Sequence, residues 1–186
     1  MSKNINSFRG VIPFLKKKSL IVCDIDYTLV DYGKPFLEFL NEVAENEVAE
    51  NEVAENEVTE NEVAENEVAA YEAYDKYIHT HTPVPTDPVG FIQLMKEVLH
   101  QDCKLIFVTS RPSYFEAFTR KEFTTLNLEY DFFEVYYVGG QSKGEFCKRY
   151  ITTKYDQIIL IDDYKKNIDS FHDLIPEAKT FLFKRS

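Results

Sequence analysis

Five short apolar runs, at residues 20–23, 104–108, 133–138, 157–161 and 179–183, most constrain what this chain can fold into. Each has the length of a strand, and segments of helical length lie between the later ones. Uninterrupted apolar strands are buried on both faces, which is the habit of a parallel sheet. Strand alternating with helix implies right-handed crossovers and an α/β domain. Helices are expected from Pro88, with Asp87 as N-cap, and over about 113–126, 143–151 and 166–174. In the first of these, Val89, Ile92, Met95 and Leu99 are expected to form the apolar face.

A chain of 186 residues suits one such domain with an insertion, and 15 Phe and 12 Tyr supply a core. The insertion shows itself as a repeat. From residue 41 to 70 the sequence runs NEVAE three times, then NEVTE, NEVAE and NEVAA. These pentapeptides hold 11 glutamates and no Lys or Arg, while the rest of the chain balances 21 acids against 21 bases. The net charge of −11 is therefore local and says little about what the remaining residues bind. Five residues advance a helix by about 140° beyond a full turn, so the repeated valines wind around every side. No seam persists for a coiled coil. A solvated helix or partial disorder is expected, with a coiled-coil partner as the alternative. Residues 1–32 and 103–186 read as the core, and 33–102 as a helical insertion.

At the N-terminus Val11, Ile12, Phe14 and Leu15, broken by Pro13, precede Lys16, Lys17 and Lys18. Charge after the apolar patch reverses the order of a secretory signal, so this segment is expected to pack on the domain. No apolar run reaches the roughly 18 residues of a membrane span. Cys23, Cys103 and Cys147 form an odd, scattered set, which suits ordinary core residues in a reducing, cytoplasmic setting. Tyr71, Tyr74 and Tyr77 at spacing three suggest a helix over about 69–81 that packs on the domain. His79 and His81 precede the break at 82–85 and fit a loop better than a metal site.

Four polar clusters follow the apolar runs or open a helix. They are Asp24 with Asp26, Thr109 with Ser110 and Arg111, Lys143, and Asp162 with Asp163. Strand-end clusters of a parallel sheet converge at one edge, where such sheets bind ligands. Asp24 and Asp26 share one side of an extended chain, and close carboxylates repel unless a cation or a proton lies between them. Hard cations such as Mg²⁺ take carboxylate oxygens together with substrate phosphates. A phosphoryl group in transfer needs cationic and hydroxyl donors, and an aspartate can attack phosphorus. Taken singly, Asp24, Asp162 and Asp163 could instead cap helices, and Lys143 could be an exposed helix start. Arg111 reads equally well as a substrate clamp or as a salt bridge to a nearby acid. Asn167 could orient Asp163.

In these motifs the chain resembles the haloacid-dehalogenase-like superfamily, in its phosphatase branch. The match runs through Asp24-Ile25-Asp26-Tyr27-Thr28 as DxDxT, the strand-ending Thr109, Lys143 in Ser142-Lys143-Gly144, and the pair Asp162-Asp163. The resemblance implies a Rossmann-like three-layer sandwich with a parallel sheet of about five strands, ordered 5-4-1-2-3, and a Mg²⁺ cofactor. By the same resemblance Asp24 attacks phosphorus, and Asp26 protonates the leaving oxygen and then activates water. Thr109 would bind the phosphoryl group and Lys143 offset its charge, with Ser110 and Arg111 toward the substrate. Asp24, the Asp26 carbonyl, Asp162 and Asp163 would hold the metal, with Asp163 the better match for the direct ligand. Tyr27 stands where the family pattern commonly has glycine. The expected function is hydrolysis of a small phosphate monoester: a metabolite, nucleotide or nucleic-acid end. The alternatives are a non-catalytic relative that binds partners through its acidic repeat, and a phosphoacceptor receiver domain. The second acidic pair, placed after the lysine, disfavours the receiver.

Overall fold

The computed structural model describes residues 2–33, 77, 81–151 and 155–185. The pentapeptide repeat, His79 and nearly all of the helix expected over 69–81 lie outside the described residues. Two compact units are present, one made of 1–31 with 85–186 and the other of 32–84. The first unit therefore includes the helix that opens at Pro88, which the sequence reading had placed in the insertion.

The first unit is built on a six-stranded sheet. Its strands are β1 (Lys3–Ile5), β2 (Ser19–Cys23), β5 (Lys104–Thr109), β6 (Glu134–Tyr137), β7 (Gln157–Asp162) and β8 (Lys179–Phe183). The order is β1-β8-β7-β2-β5-β6 and every pairing is parallel. Without β1 this is the expected 5-4-1-2-3 order with the Asp24 strand at the centre. The sixth strand is the addition: Lys3, Asn4 and Ile5 pair with Phe181, Leu182 and Phe183. Two polar residues in a three-residue strand carry too little apolar signal to be read from sequence. A short pair, β3 (Val30–Asp31) with β4 (Val84–Pro85), lies outside the main sheet.

Among the described residues four α-helices cover the sheet: α1 (Pro88–His100), α2 (Glu116–Thr125), α3 (Lys143–Tyr150) and α4 (Lys165–Leu174). Alternating strand residues point to opposite faces. Leu20, Val22, Ile106, Val108, Ile158 and Leu160 meet Cys147, Ile168 and Phe171 of α3 and α4. On the other face Phe107 lies 5.2 Å from Phe123 of α2 and 6.3 Å from Phe91 of α1. Phe8, in the 3-10 turn Phe8–Phe14, packs between Phe91 and Phe183 at 5.3 and 5.0 Å. The N-terminal segment thus packs on the domain as expected, as part of this layer. Asp87 caps α1 as expected, accepting from the Gly90 N–H at 2.9 Å.

The apolar face of α1 is not the one read from sequence. Gly90, Phe91, Leu94 and Val98 are buried, while Val89, Ile92 and Leu99 are exposed. Both stripes follow helical spacing, and they differ by a rotation of about 100° per residue. The aromatic ring of Phe91 decides between them, because it fills the space between Phe8 and Phe107.

Little of the second unit is described. The Tyr32 and Tyr77 rings lie 5.3 Å apart, and His81 stacks on Tyr77 at 4.4 Å. The His81 Nδ1 is 2.8 Å from the Tyr77 carbonyl oxygen, so this histidine is engaged with its own segment.

Candidate active site

Strand register brings the chemistry together. Cys23 at the end of β2 pairs with Phe107 on one side and Ile161 on the other. Asp24 therefore stands level with Asp162, the last residue of β7, and next to the end of β5, which is Thr109. The Asp24 N–H continues the ladder by donating to the Ile161 carbonyl at 3.0 Å. After Asp24 the chain coils back: the Leu29 and Val30 N–H groups both donate to the Ile25 carbonyl, at 2.8 and 3.1 Å. Tyr27 adopts φ +58° in this coil. That left-handed geometry is the reason a glycine suits the position. The Arg185 guanidinium lies 4.6 Å from the Tyr27 ring centre and bonds Asp31 at 3.1 Å.

Lys143, the first residue of α3, sends its ammonium between two carboxylates. It bonds Asp24 Oδ1 and lies 2.8 Å from Asp162 Oδ2. All three side chains are buried. Asp162 is fixed further by the Tyr164 N–H at 2.8 Å and by Asn167 Nδ2 at 3.0 Å from each oxygen. Asn167 therefore orients Asp162, not Asp163 as the sequence had suggested. The Thr28 hydroxyl donates to Asp24 Oδ2 at 3.4 Å. The Thr109 hydroxyl accepts the Arg111 N–H at 3.2 Å, which leaves its proton to donate elsewhere.

Arg111 settles on the salt-bridge side of its two readings. Its Nη2 and Nε bond the two oxygens of Asp26 at 2.6 and 3.0 Å. Its Nη1 bonds Thr119 Oγ1 at 2.9 Å and also pairs with Glu122 Oε2. Ser110 is exposed beside it. Thr119 and Glu122 did not stand out in the sequence. The available signal was a charge on the buried stripe of α2, three residues from Thr119 and beside the fully buried Phe123.

Electrostatics follow from this burial. Burial pushes the Asp24 carboxyl well above the usual carboxylate range, with Lys143 pulling the other way and Asp162, Asp26 and Asp163 adding to the rise. Burial by itself would lower the Lys143 ammonium, but Asp162 and Asp24 outweigh it and hold the lysine charged. Asp163 is pushed up to about 6, by burial first and then by Asp162.

Carboxylate oxygens of Asp24, Asp162 and Asp163 all lie within 4.8 Å of one another. An all-oxygen donor set with a half-buried member fits a hard divalent cation such as Mg²⁺. The Asp26 carboxylate is not in this group, because it faces Arg111. With Asp162 engaged by three donor groups, Asp163 is the acid with more freedom to turn toward a cation.

No protein-family model matches the chain, and no curated protein matches it in sequence. Solved structures do. A protein described as a beta-phosphoglucomutase from Thermotoga maritima aligns at TM-score 0.54 and 14% identity, covering 86% of this chain and 83% of its own. A HAD-superfamily hydrolase from Ehrlichia chaffeensis aligns at TM-score 0.50 and 14% identity, over 89% and 87%. DsGPDH of Dunaliella salina aligns at TM-score 0.50 and 13% identity, over 97% of this chain but 33% of its own. The sheet order, the crossover helices and these neighbours agree: the chain has the haloacid-dehalogenase-like fold.

Proposed function

We propose that this protein hydrolyses phosphate monoesters through an aspartyl-phosphate on Asp24, with Mg²⁺ as cofactor. The observation that carries the reading is the buried Asp24 carboxylate, held by Lys143 at a strand end and flanked by Asp162 and Asp163. Such an arrangement positions a nucleophile and offsets the charge of a transferring phosphoryl group.

An Asp24 oxygen attacks phosphorus and the bond from phosphorus to the ester oxygen breaks. Asp26 gives a proton to that oxygen, for which one of its carboxyl oxygens must leave Arg111. Its carboxylate then takes a proton from water, whose oxygen attacks phosphorus. The bond to Asp24 breaks and inorganic phosphate leaves. Thr109 donates its hydroxyl proton to a phosphoryl oxygen, and Lys143 stays charged throughout. Asp24, Asp162 and Asp163 would hold Mg²⁺, which when bound supplies positive charge to the phosphoryl oxygens. The substrate class of this reading is a small phosphorylated metabolite, nucleotide or nucleic-acid end.

The test is turnover of para-nitrophenyl phosphate with Mg²⁺ and with EDTA, in the wild type and in Asp24→Asn. Turnover should vanish with chelator and fall at least about a hundredfold in the variant, since an amide is a poor nucleophile. Asp163→Ala should weaken Mg²⁺ binding more than Asp162→Ala. Full activity in EDTA, or an active Asp24→Asn protein, would discard the mechanism.

A further inference from the structure

Glu122 is a fully buried carboxylate that the chemistry above does not use. Its Oε2 pairs with Arg111 Nη1, and its Oε1 is buried without a hydrogen-bond partner. An orphaned buried oxygen weakens a fold, and an apolar side chain would serve stability better in this position. What Glu122 does achieve is geometric. Arg111 is gripped at both ends: Asp26 takes Nε and Nη2, while Thr119 and Glu122 take Nη1. Thr119 is in turn anchored by donating to the Phe115 carbonyl at 3.1 Å. A planar guanidinium held this way has one orientation, and its Nε–H and one Nη2–H set where the Asp26 oxygens lie.

Resting on the phosphatase reading, we propose that Glu122 is a positioning residue: by fixing Arg111 it fixes the place from which the Asp26 carboxyl turns to the ester oxygen that leaves. Its loss then impairs the proton transfer and not the attack by Asp24. The two steps separate by leaving group. Ethyl phosphate must lose an alkoxide and needs the proton, whereas para-nitrophenyl phosphate loses a stable anion and does not.

The experiment compares kcat/KM for both esters in wild type, Asp26→Asn and Glu122→Gln, each checked for fold by circular dichroism. Glu122→Gln should lose about thirtyfold on ethyl phosphate and less than about threefold on para-nitrophenyl phosphate, a part of the roughly hundredfold or more that a general acid supplies. Glu122→Asp, which restores the charge with a shorter reach, should recover part of the loss and replaces the glutamine variant if that one does not fold. Equal losses on both esters, or none on either, would overturn the proposal. Asp26→Asn should show the same pattern, more strongly. A wild type inert to both esters would instead sink the phosphatase reading. The brace is then decided by the Arg111 Nε–H resonance, which should exchange with solvent about tenfold faster in Glu122→Gln, and an unchanged signal overturns it.

Discussion

Lys143 ties together three elements that arrive from distant parts of the chain, because its ammonium bonds the acids at the ends of β2 and β7 while it sits at the start of α3. Removing one partner from a buried ion pair costs about 3–5 kcal/mol, since the charges left behind stay desolvated. Lys143→Met should therefore lower unfolding free energy in EDTA by about that amount, read from urea denaturation. Mg²⁺ should restore more stability to the variant than it adds to the wild type, because three acids would then face the ion without the lysine. At this scale the sequence was legible where a polar residue ends an apolar run. Asp24, Thr109 and Asp162 could be placed that way, and strand register then made them neighbours. Glu122 could not, because its meaning depends on Arg111, which reaches it from a different element. Nor could Arg111 be assigned until Asp26 was seen to accept from both its Nε and its Nη2.

The helices set where these residues sit, and their ends are well specified. The Asp87 carboxylate accepts the Gly90 N–H, the Phe8 N–H at 2.9 Å and the Ser7 hydroxyl at 2.6 Å. Burial acts to raise its pKa, but the hydrogen bonds from Ser7, Gly90 and Phe8 outweigh that and lower it below the ordinary value. A depressed folded pKa gives stability that is present above about pH 4 and lost as pH falls through the folded value. Asp87→Ala should cost about 1–2 kcal/mol at neutral pH, and thermal melts should show the gap from wild type closing toward pH 2. At the other layer, α3 and α4 touch through Gly144, where an added Cβ would lie 2.5 Å from Ser170 Oγ and 2.9 Å from the Ser170 carbonyl oxygen. Gly144→Ala must push the helices apart, costing about 1–3 kcal/mol, and should slow turnover by displacing the neighbouring Lys143. Melting temperature and kcat measured together would check both parts. Strands and helices were legible here from apolar runs and cap residues. The facing of α1 was not, because its exposed Val89, Ile92 and Leu99 carry as strong a helical stripe as the buried set.

At the scale of the whole molecule, every neighbour of the central strand comes from beyond the insertion. β2 pairs with β5 and β7, so the sheet of the first unit closes without residues 32–84. Shortening the insertion then changes mainly the entropy of closing a loop, which varies slowly with length. Deleting residues 46–60, three whole pentapeptides, should shift core stability by only about 0.3 kcal/mol. It should leave turnover of a small aryl phosphate within about tenfold, a barrier change under roughly 1.4 kcal/mol. A folded deletion protein slowed more than a hundredfold would make the repeat part of the active site. The same connectivity carries a consequence for a chain emerging from the ribosome. β1 waits for β8, and β2 waits through the whole insertion for both of its partners. Until β7 is synthesised, Asp24 has no Asp162 beside it and Lys143 has only one acid to hold. A growing chain thus passes most of its synthesis with Asp24 made but without its partners, and gathers the candidate site in the same late step that closes its sheet.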